Sequence, residues 1–174
     1  MNHKRQNSIK ILFTCHGNIC RSPMAEFVMK DMVEKAGLSS FFHIASAATS
    51  TEEIGNPVHR GTRERLKREG ISVAGKTAVQ LKKSDYAAYD YLIGMDDWNI
   101  RNMLRMLGGD PEGKVYKLLD FSNSKRTDGK KILKNTGRDV ADPWYTGDFE
   151  ATYQDVMDGC SGLLEHILEN ESRD

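Results

Sequence analysis

The sequence is poor in the residues and patterns that define several large protein classes. Its 174 residues include only three cysteines, too few for a disulfide framework and typical of a reduced compartment. Basic and acidic residues number 25 each, so no net positive field attracts nucleic acid or an anionic membrane. No run approaches the roughly 20 apolar residues of a membrane span, and the first residues lack the apolar core of a signal peptide. We therefore expect a cytoplasmic protein with no nucleic-acid or membrane partner.

Short apolar runs alternate with helical patterns along the chain. Four runs are typical of strands buried on both faces of a parallel sheet: residues 9–14, 42–46, 91–95 and 115–119. Apolar spacing of three and four predicts a last helix over residues 149–167. Alternation of this kind predicts one α/β domain, residues 1–174, with helices on both faces of a four-stranded sheet. We expect residues 1–8 to be a flexible tail and residues 121–141 to be a long loop that is functional or mobile.

The segment FTCHGNICRSPMAE, residues 13–26, joins the first strand to the first helix. Ser22 is predicted to cap that helix, with Pro23 at its first position. Such a joint favours an anion, because unpaired N–H groups and the positive end of the helix dipole face the loop. Gly17 and Asn18 tolerate a left-handed backbone, which lets the loop amides turn inward. Arg21 adds a planar fork that can bind two phosphate oxygens.

Cys15 lies inside this predicted anion cradle. The positive groups that bind phosphate also stabilise a thiolate, so the cradle and a nucleophile coincide. An arginine is costly to bury without an anionic partner, which favours this interpretation over a Cys15 that only packs as a small apolar residue. Cys20 either packs or forms a protective disulfide with Cys15, and the sequence leaves both open. Cys160, on the apolar stripe of the last helix, is predicted to be core.

Two other chemistries match parts of the sequence. GISVAGKT, residues 70–77, fits the nucleotide P-loop pattern, but a charged helical segment precedes it where a P-loop needs a buried strand. A zinc site would use Cys15, His16 and Cys20, but adjacent residues are poorly placed to bind one ion, and no second pair of ligands follows. We therefore expect neither a bound nucleotide nor a metal.

A thiolate that displaces a phosphoryl group needs a proton for the departing oxygen and later a base for water. The segment ADPWYTGDFE, residues 141–150, places Asp142 beside two large rings, Trp144 and Tyr145. These rings would wall a pocket for a phenyl group. The opposing interpretation has Asp142 capping a turn while the rings cover the edge of the core, and the pattern alone does not choose.

The two segments together resemble the low-molecular-weight protein tyrosine phosphatases. CHGNICRS followed by proline and the later DPWY carry the resemblance, which runs from Ile9 to Ile167 and includes SAATS at residues 46–50 and YLIGMD ending at Asp96. It implies a flavodoxin-like fold and hydrolysis of phosphotyrosine proteins or small aryl phosphates through a phosphocysteine, without metal or other cofactor. We expect a monomer or a weak dimer.

The resemblance also implies roles for individual residues. Cys15 would be the nucleophile, Arg21 would bind phosphate and stabilise the transition state, and Asp142 would act as general acid and then as base. The residues implied to brace the site are Asn18, Ser22, Ser46 and Asp96. The residues implied to contact the substrate are His16, Gly17, Asn18, Ile19, Cys20, Ser22, Trp144 and Tyr145.

Three positions depart from the family pattern. His16 stands where an aliphatic residue is more common, and Glu52 replaces an aromatic residue that animal members place at the pocket rim. GKTA, residues 75–78, falls where many members have His-x-Ala-Arg. The group that supports the loop residue Asn18 is therefore either missing here or supplied by another part of the chain. The basic residues between positions 125 and 138 either attract acidic phosphopeptides or form solvated surface.

Two relatives of the same fold and one different class are alternatives. Protein-arginine phosphatases place threonine where this chain has Ile19, and the apolar side chain favours an aryl phosphate. Thioredoxin-linked arsenate reductases need a further cysteine pair, and Cys160 has no neighbour in sequence to pair with. A phosphotyrosine-binding module without turnover would not require Cys15, Arg21 and Asp142 together.

Overall fold

The computed structural model describes residues 8–122 and 132–171. Its four parallel strands form one sheet in the order β2-β1-β3-β4. The strands are β1 Ile9–Cys15, β2 Phe42–Ala48, β3 Tyr91–Gly94 and β4 Val115–Lys117. Phe13 of β1 pairs with Ser46 on one side and with Ile93 on the other. The predicted four-stranded parallel sheet is confirmed.

Helices cover both faces of this sheet. They are α1 Arg21–Lys35, α2 Arg60–Lys67, α3 Asp85–Ala88, α4 Asp97–Leu107, α5 Pro143–Thr146 and α6 Phe149–Glu171. Two short 3-10 helices lie at Ser39–Phe41 and Leu118–Phe121. Within the described residues, no helix is both long and apolar enough to span a bilayer.

The core has two halves because successive side chains of a strand point to opposite faces. Ile11 and Phe13 are buried in the half that contains residues of α1 and α6, such as Met24 and Leu163. Leu12 is buried in the other half, with Ile100 and Met103 of α4. The fold is therefore the three-layer arrangement that the sequence predicts.

Several predicted boundaries are wrong. Helix α1 begins at Arg21 with Cys20 at its N-cap, so Ser22 is not the cap; its hydroxyl bonds Cys15 and Asn18 instead. The fourth strand ends at Lys117, because the Asp120 carboxylate accepts the Lys117 N–H at 3.0 Å and turns the chain into a 3-10 helix.

The predicted tail and long loop fall largely outside the described residues, which omit 1–7 and 123–131. Phe121, placed at the start of the predicted loop, is buried in the 3-10 helix Leu118–Phe121. Residues 132–141 form neither helix nor strand. The Asp120 carboxylate holds this part by accepting the N–H groups of Asn135 and Gly137, both at 2.8 Å. These hydrogen bonds hold in place the segment that precedes Asp142.

Candidate active site

The loop after β1 lies where the order of the strands reverses, between β1 and β3, at their carboxyl ends. Open α/β sheets bind ligands at this position. Residues 16–20 bend around the end of β1, and α1 starts at Arg21. Asn18 adopts the left-handed backbone that the sequence predicts, with φ of 58°. Its N–H group donates to Cys15 Sγ at 3.3 Å, so the loop folds over the sulfur.

Buried side chains brace this loop from behind. Ser22 Oγ lies 3.0 Å from Cys15 Sγ. Asn18 Nδ2 donates to Ser22 Oγ at 2.8 Å and to Ser46 Oγ at 2.9 Å. Asn18 Oδ1 accepts from the Val79 N–H at 3.1 Å. Three of the four predicted bracing residues, Asn18, Ser22 and Ser46, therefore meet. The Val79 backbone supplies the support for Asn18 that the GKTA departure left open.

A second layer of charged residues supports the brace, and sequence reasoning missed it. Ser46 Oγ donates to the buried Glu26 carboxylate at 2.6 Å. Lys76 Nζ donates to Ser46 O at 2.9 Å and lies 3.6 Å from Glu26. Burial lowers the pKa of Lys76, and the nearby Glu26 opposes that change. A glutamate one helical turn after Ser22, on the same face of α1, was the clue in the sequence.

Arg21 is almost fully buried, with 3% of its surface exposed. Its Nη1 donates to Asp96 Oδ2 at 2.8 Å and to Val140 O at 3.2 Å, and its Nη2 lies 3.3 Å from Asp142 Oδ2. Burial alone would lower the pKa of Arg21, but Cys15, Asp96 and Asp142 raise it on balance. The guanidinium is therefore charged and held in one orientation.

Asp96 is fixed by its own helix. It is the N-cap of α4, and its Oδ1 accepts the Asn99 N–H at 2.7 Å. The Asn99 side chain accepts in return from the N–H groups of Met95 and Asp96, at 3.1 and 3.2 Å. This capping box fixes the Asp96 carboxylate, which accepts a hydrogen bond from Arg21.

Asp142 caps a helix and also faces the loop. Its Oδ1 accepts the Trp144 N–H at 3.1 Å at the start of α5, while its Oδ2 lies beside Arg21. Trp144 and Tyr145 are 60% and 84% exposed, so the interpretation in which they cover the core is wrong. The edge of the Trp144 ring meets the His59 ring at 6.0 Å between centroids.

These residues surround a cleft of about 480 Å³. Ten residues singled out from the sequence line it: Cys15, His16, Gly17, Ile19, Cys20, Arg21, Asp96, Asp142, Trp144 and Tyr145. Asn18, Ser22 and Ser46 are buried, with their side chains in the brace. Glu52 also lines the cleft and pairs with His16 at 3.0 Å. Sequence reasoning missed three lining residues: Glu53, Trp98 and Asn99.

All three cysteines are buried free thiols. Burial, with the nearby Cys15 and Asp142, raises the pKa of Cys20 to about 12, against the opposing effect of Arg21. Cys20 therefore keeps its proton near neutral pH. Cys160 is fully buried in the core half that α6 covers, as predicted. Among the described residues, no three acidic, histidine or cysteine side chains gather to hold a metal ion.

The Cys15 sulfur, the loop folded over it and the Arg21 guanidinium lie together at the switch point of a parallel sheet, so this is an α/β protein with a cysteine-centred site. The model of the family described as "Low molecular weight phosphotyrosine protein phosphatase" matches residues 10–173. The chain belongs to this family.

Named relatives and solved structures agree with this assignment. The low molecular weight protein-tyrosine-phosphatase YfkJ of Bacillus subtilis is 41% identical, over 91% of this chain and 96% of that protein. PtpA of Staphylococcus epidermidis is 33% identical over 93% and 96%. The crystal structure of YfkJ superposes with a TM-score of 0.82 over 95% of this chain and 98% of that one. A protein tyrosine phosphatase from Entamoeba histolytica, 30% identical, reaches 0.80 over 94% and 99%.

Proposed function

We propose that this chain is a protein tyrosine phosphatase that hydrolyses phosphotyrosine in proteins and small aryl phosphates. One observation carries the proposal: the Cys15 sulfur, the Arg21 guanidinium and the Asp142 carboxylate meet in one cleft. Membership of a family whose relatives are named protein-tyrosine-phosphatases supports it.

The first step forms a phosphocysteine. The phosphate binds in the loop, with its oxygens on the Arg21 fork and on backbone N–H groups of the loop. The Cys15 thiolate attacks phosphorus as the bond from phosphorus to the tyrosine oxygen breaks. Asp142, protonated, gives its proton to that oxygen, so tyrosine leaves as a neutral phenol. Ser22 Oγ, 3.0 Å from the sulfur, helps to stabilise the thiolate before attack and after release.

The second step hydrolyses the phosphocysteine. Asp142, now a carboxylate, takes a proton from a water molecule, and the water oxygen attacks phosphorus. The bond from sulfur to phosphorus breaks, and the thiolate and inorganic phosphate are released. The orientation of Arg21, set by Asp96 and Val140 O, favours both transition states because little reorganisation is needed.

The mouth of the cleft supports a preference for a phenyl ring. Ile19 is apolar and lines the cleft with Trp144 and Tyr145, and such walls suit a flat phenyl ring. His16, Gly17 and Cys20 line the same cleft. We also propose that the protein works in the cytoplasm, since its free thiols suit a reduced compartment.

The test is a panel of initial rates. Peptides that carry phosphotyrosine, phosphoserine or phosphoarginine are compared with a chelator present, and arsenate with thioredoxin is assayed separately. We expect turnover of phosphotyrosine and a loss of about 10⁴-fold or more in Cys15→Ser, with phosphate binding retained. Cys160→Ala, which removes a buried thiol outside the cleft, is the matched control and should keep its rate.

The alternatives give different results in the same panel. Faster turnover of phosphoarginine would identify an arginine phosphatase, and thioredoxin-dependent reduction of arsenate would identify an arsenate reductase. Binding of phosphotyrosine without turnover would identify a binding module. Full activity of Cys15→Ser would rule out the covalent route.

A further inference from the structure

Both tryptophans of the chain are exposed at the mouth of the cleft. Trp144 is 60% exposed and Trp98 is 58% exposed. Exposed large apolar side chains that share one concave surface are typical of a contact site. Trp144 already has a place in the proposed aryl pocket. Trp98 has none, although it borders the same cleft.

The order of the strands sets which side of the cleft Trp98 occupies. Strands β2 and β3 flank β1, so the segments that follow them lie on opposite sides of the Cys15 loop. Glu52 and Glu53 follow β2, whereas Trp98 follows β3 in the first turn of α4. One side of the mouth therefore carries two glutamates, and the other presents the Trp98 indole ring beside Asp97.

The structure holds Trp98 in place without covering it. The Asp96–Asn99 capping box fixes the first turn of α4. The Asp97 N–H donates to Asp139 Oδ1 at 3.1 Å, and the Arg101 guanidinium lies 5.3 Å from the centre of the Trp98 ring. An exposed ring on a fixed backbone loses little entropy when a ligand covers it.

We propose that Trp98 determines substrate specificity by binding an apolar or aromatic side chain next to the phosphotyrosine of a peptide. This inference rests on the proposed phosphatase function. The base of the cleft holds the groups assigned to the phosphate, and Trp144 and Tyr145 are assigned to the phenyl ring. The indole on the β3 side therefore remains for a neighbouring residue of the substrate. Its face suits an apolar or aromatic side chain.

The test compares three substrates that share a phosphorylated phenyl ring and differ in the groups that flank it. They are p-nitrophenyl phosphate, a phosphotyrosine peptide with glycine neighbours, and the same peptide with leucine and phenylalanine neighbours. In Trp98→Ala we expect kcat/KM to fall about tenfold for the apolar peptide, mainly through KM, and less than twofold for the other two. Trp98→Phe should recover most of the loss, because it restores an aromatic face.

Phe41→Ala is the matched control. Phe41 is also 58% exposed, but it precedes β2 and so lies at the opposite, amino edge of the sheet. It should leave all three substrates unchanged. Equal losses on all three substrates in Trp98→Ala would overturn the inference, since Trp98 would then act through Asp96. No loss at all, or a loss confined to the peptide with glycine neighbours, would overturn it as well.

A binding measurement separates this inference from the proposed function. In the double variant Cys15→Ser, Trp144→Phe, Trp98 is the sole tryptophan, and its fluorescence should change on titration with the apolar peptide but little with the glycine peptide. If the wild-type protein hydrolyses no phosphotyrosine substrate, the proposed function fails. If it does, and Trp98 fluorescence responds equally to both peptides, only the specificity inference fails.

Discussion

The base and the mouth of the cleft are built in opposite ways. At the base, Cys15, Asn18, Arg21 and Ser22 are buried, and hydrogen bonds hold each side chain in place. At the mouth, Trp98, Trp144 and Tyr145 are mostly exposed. A buried polar group without partners is costly, so the base tolerates few substitutions. Exposed rings have no such constraint, and the mouth is free to vary with the substrate.

The difference assigns separate tasks to the two regions. A fixed base suits chemistry, because charges that are already oriented need not reorganise in the transition state. An exposed mouth suits selection, because burial of its apolar surface is available to favour one ligand over another. Substitutions at the base should therefore lower kcat for every substrate, whereas those at the mouth should change KM for some.

Among variants that keep the Cys15 nucleophile, the largest effect is expected from Arg21→Lys. Lysine keeps the positive charge beside Asp96 and Asp142 but loses the planar fork. We expect kcat/KM to fall about 10²- to 10³-fold for all aryl phosphates, while the protein stays folded. Steady-state kinetics with two substrates, with urea unfolding as the check on folding, would measure this.

Arg105→Lys is the control for Arg21→Lys, since Arg105 lies exposed in the last turn of α4, away from the cleft. It should have wild-type kinetics. If Arg21→Lys lost activity only with peptides and not with p-nitrophenyl phosphate, the base would be selecting substrates. That result would contradict the division of tasks between base and mouth.

A smaller effect is expected from Asp142→Ala, at the border between base and mouth. Its side chain is 29% exposed and contacts both Arg21 and the Trp144 N–H. Loss of the proton donor should lower kcat about 10²-fold for a phenyl or tyrosyl leaving group. For p-nitrophenyl phosphate kcat should fall only a few-fold, because p-nitrophenolate leaves without being protonated. A plot of rate against leaving-group basicity would measure the difference. Equal losses along that plot would contradict the acid role.

Much of the fold was predictable because its strands and helix starts are marked by residues that are adjacent in the sequence. Each strand is a short apolar run, and the switch from β1 to α1 is marked by turn-forming and helix-starting residues. The boundaries that went wrong depend on distant partners. The sequence predicts Ser22 as a helix cap, but in the folded chain its hydroxyl contacts Asn18 and Cys15. Strand β4 ends earlier than predicted because the Asp120 carboxylate accepts backbone N–H groups of residues 117, 135 and 137.

The residues of the site also fall into those that the sequence predicts and those that it does not. Residues of the Cys15 loop and of DPWY were predictable, because each segment carries its chemistry in a few consecutive positions. Glu26, Lys76 and Trp98 were not, since each lies in an ordinary helix or loop and reaches the site only through the sheet order and the hydrogen bonds of the folded chain. Two of them support the base, and the third borders the mouth.

The smallest effect is expected from the buried thiol of Cys20, which also lines the cleft. The pKa of Cys20 rises from 9.0 to about 12 on folding, chiefly through burial. Above pH 9 the unfolded chain therefore releases a proton that the folded protein keeps, and the free energy of unfolding falls as pH rises. Between pH 8 and 10, Cys20→Ala should lose about 1 kcal/mol less stability than wild type in urea unfolding. Ile19→Val, a neighbour without a titrating group, should follow wild type, and a Cys20→Ala curve that falls as steeply would show that this thiol is not buried as a protonated group.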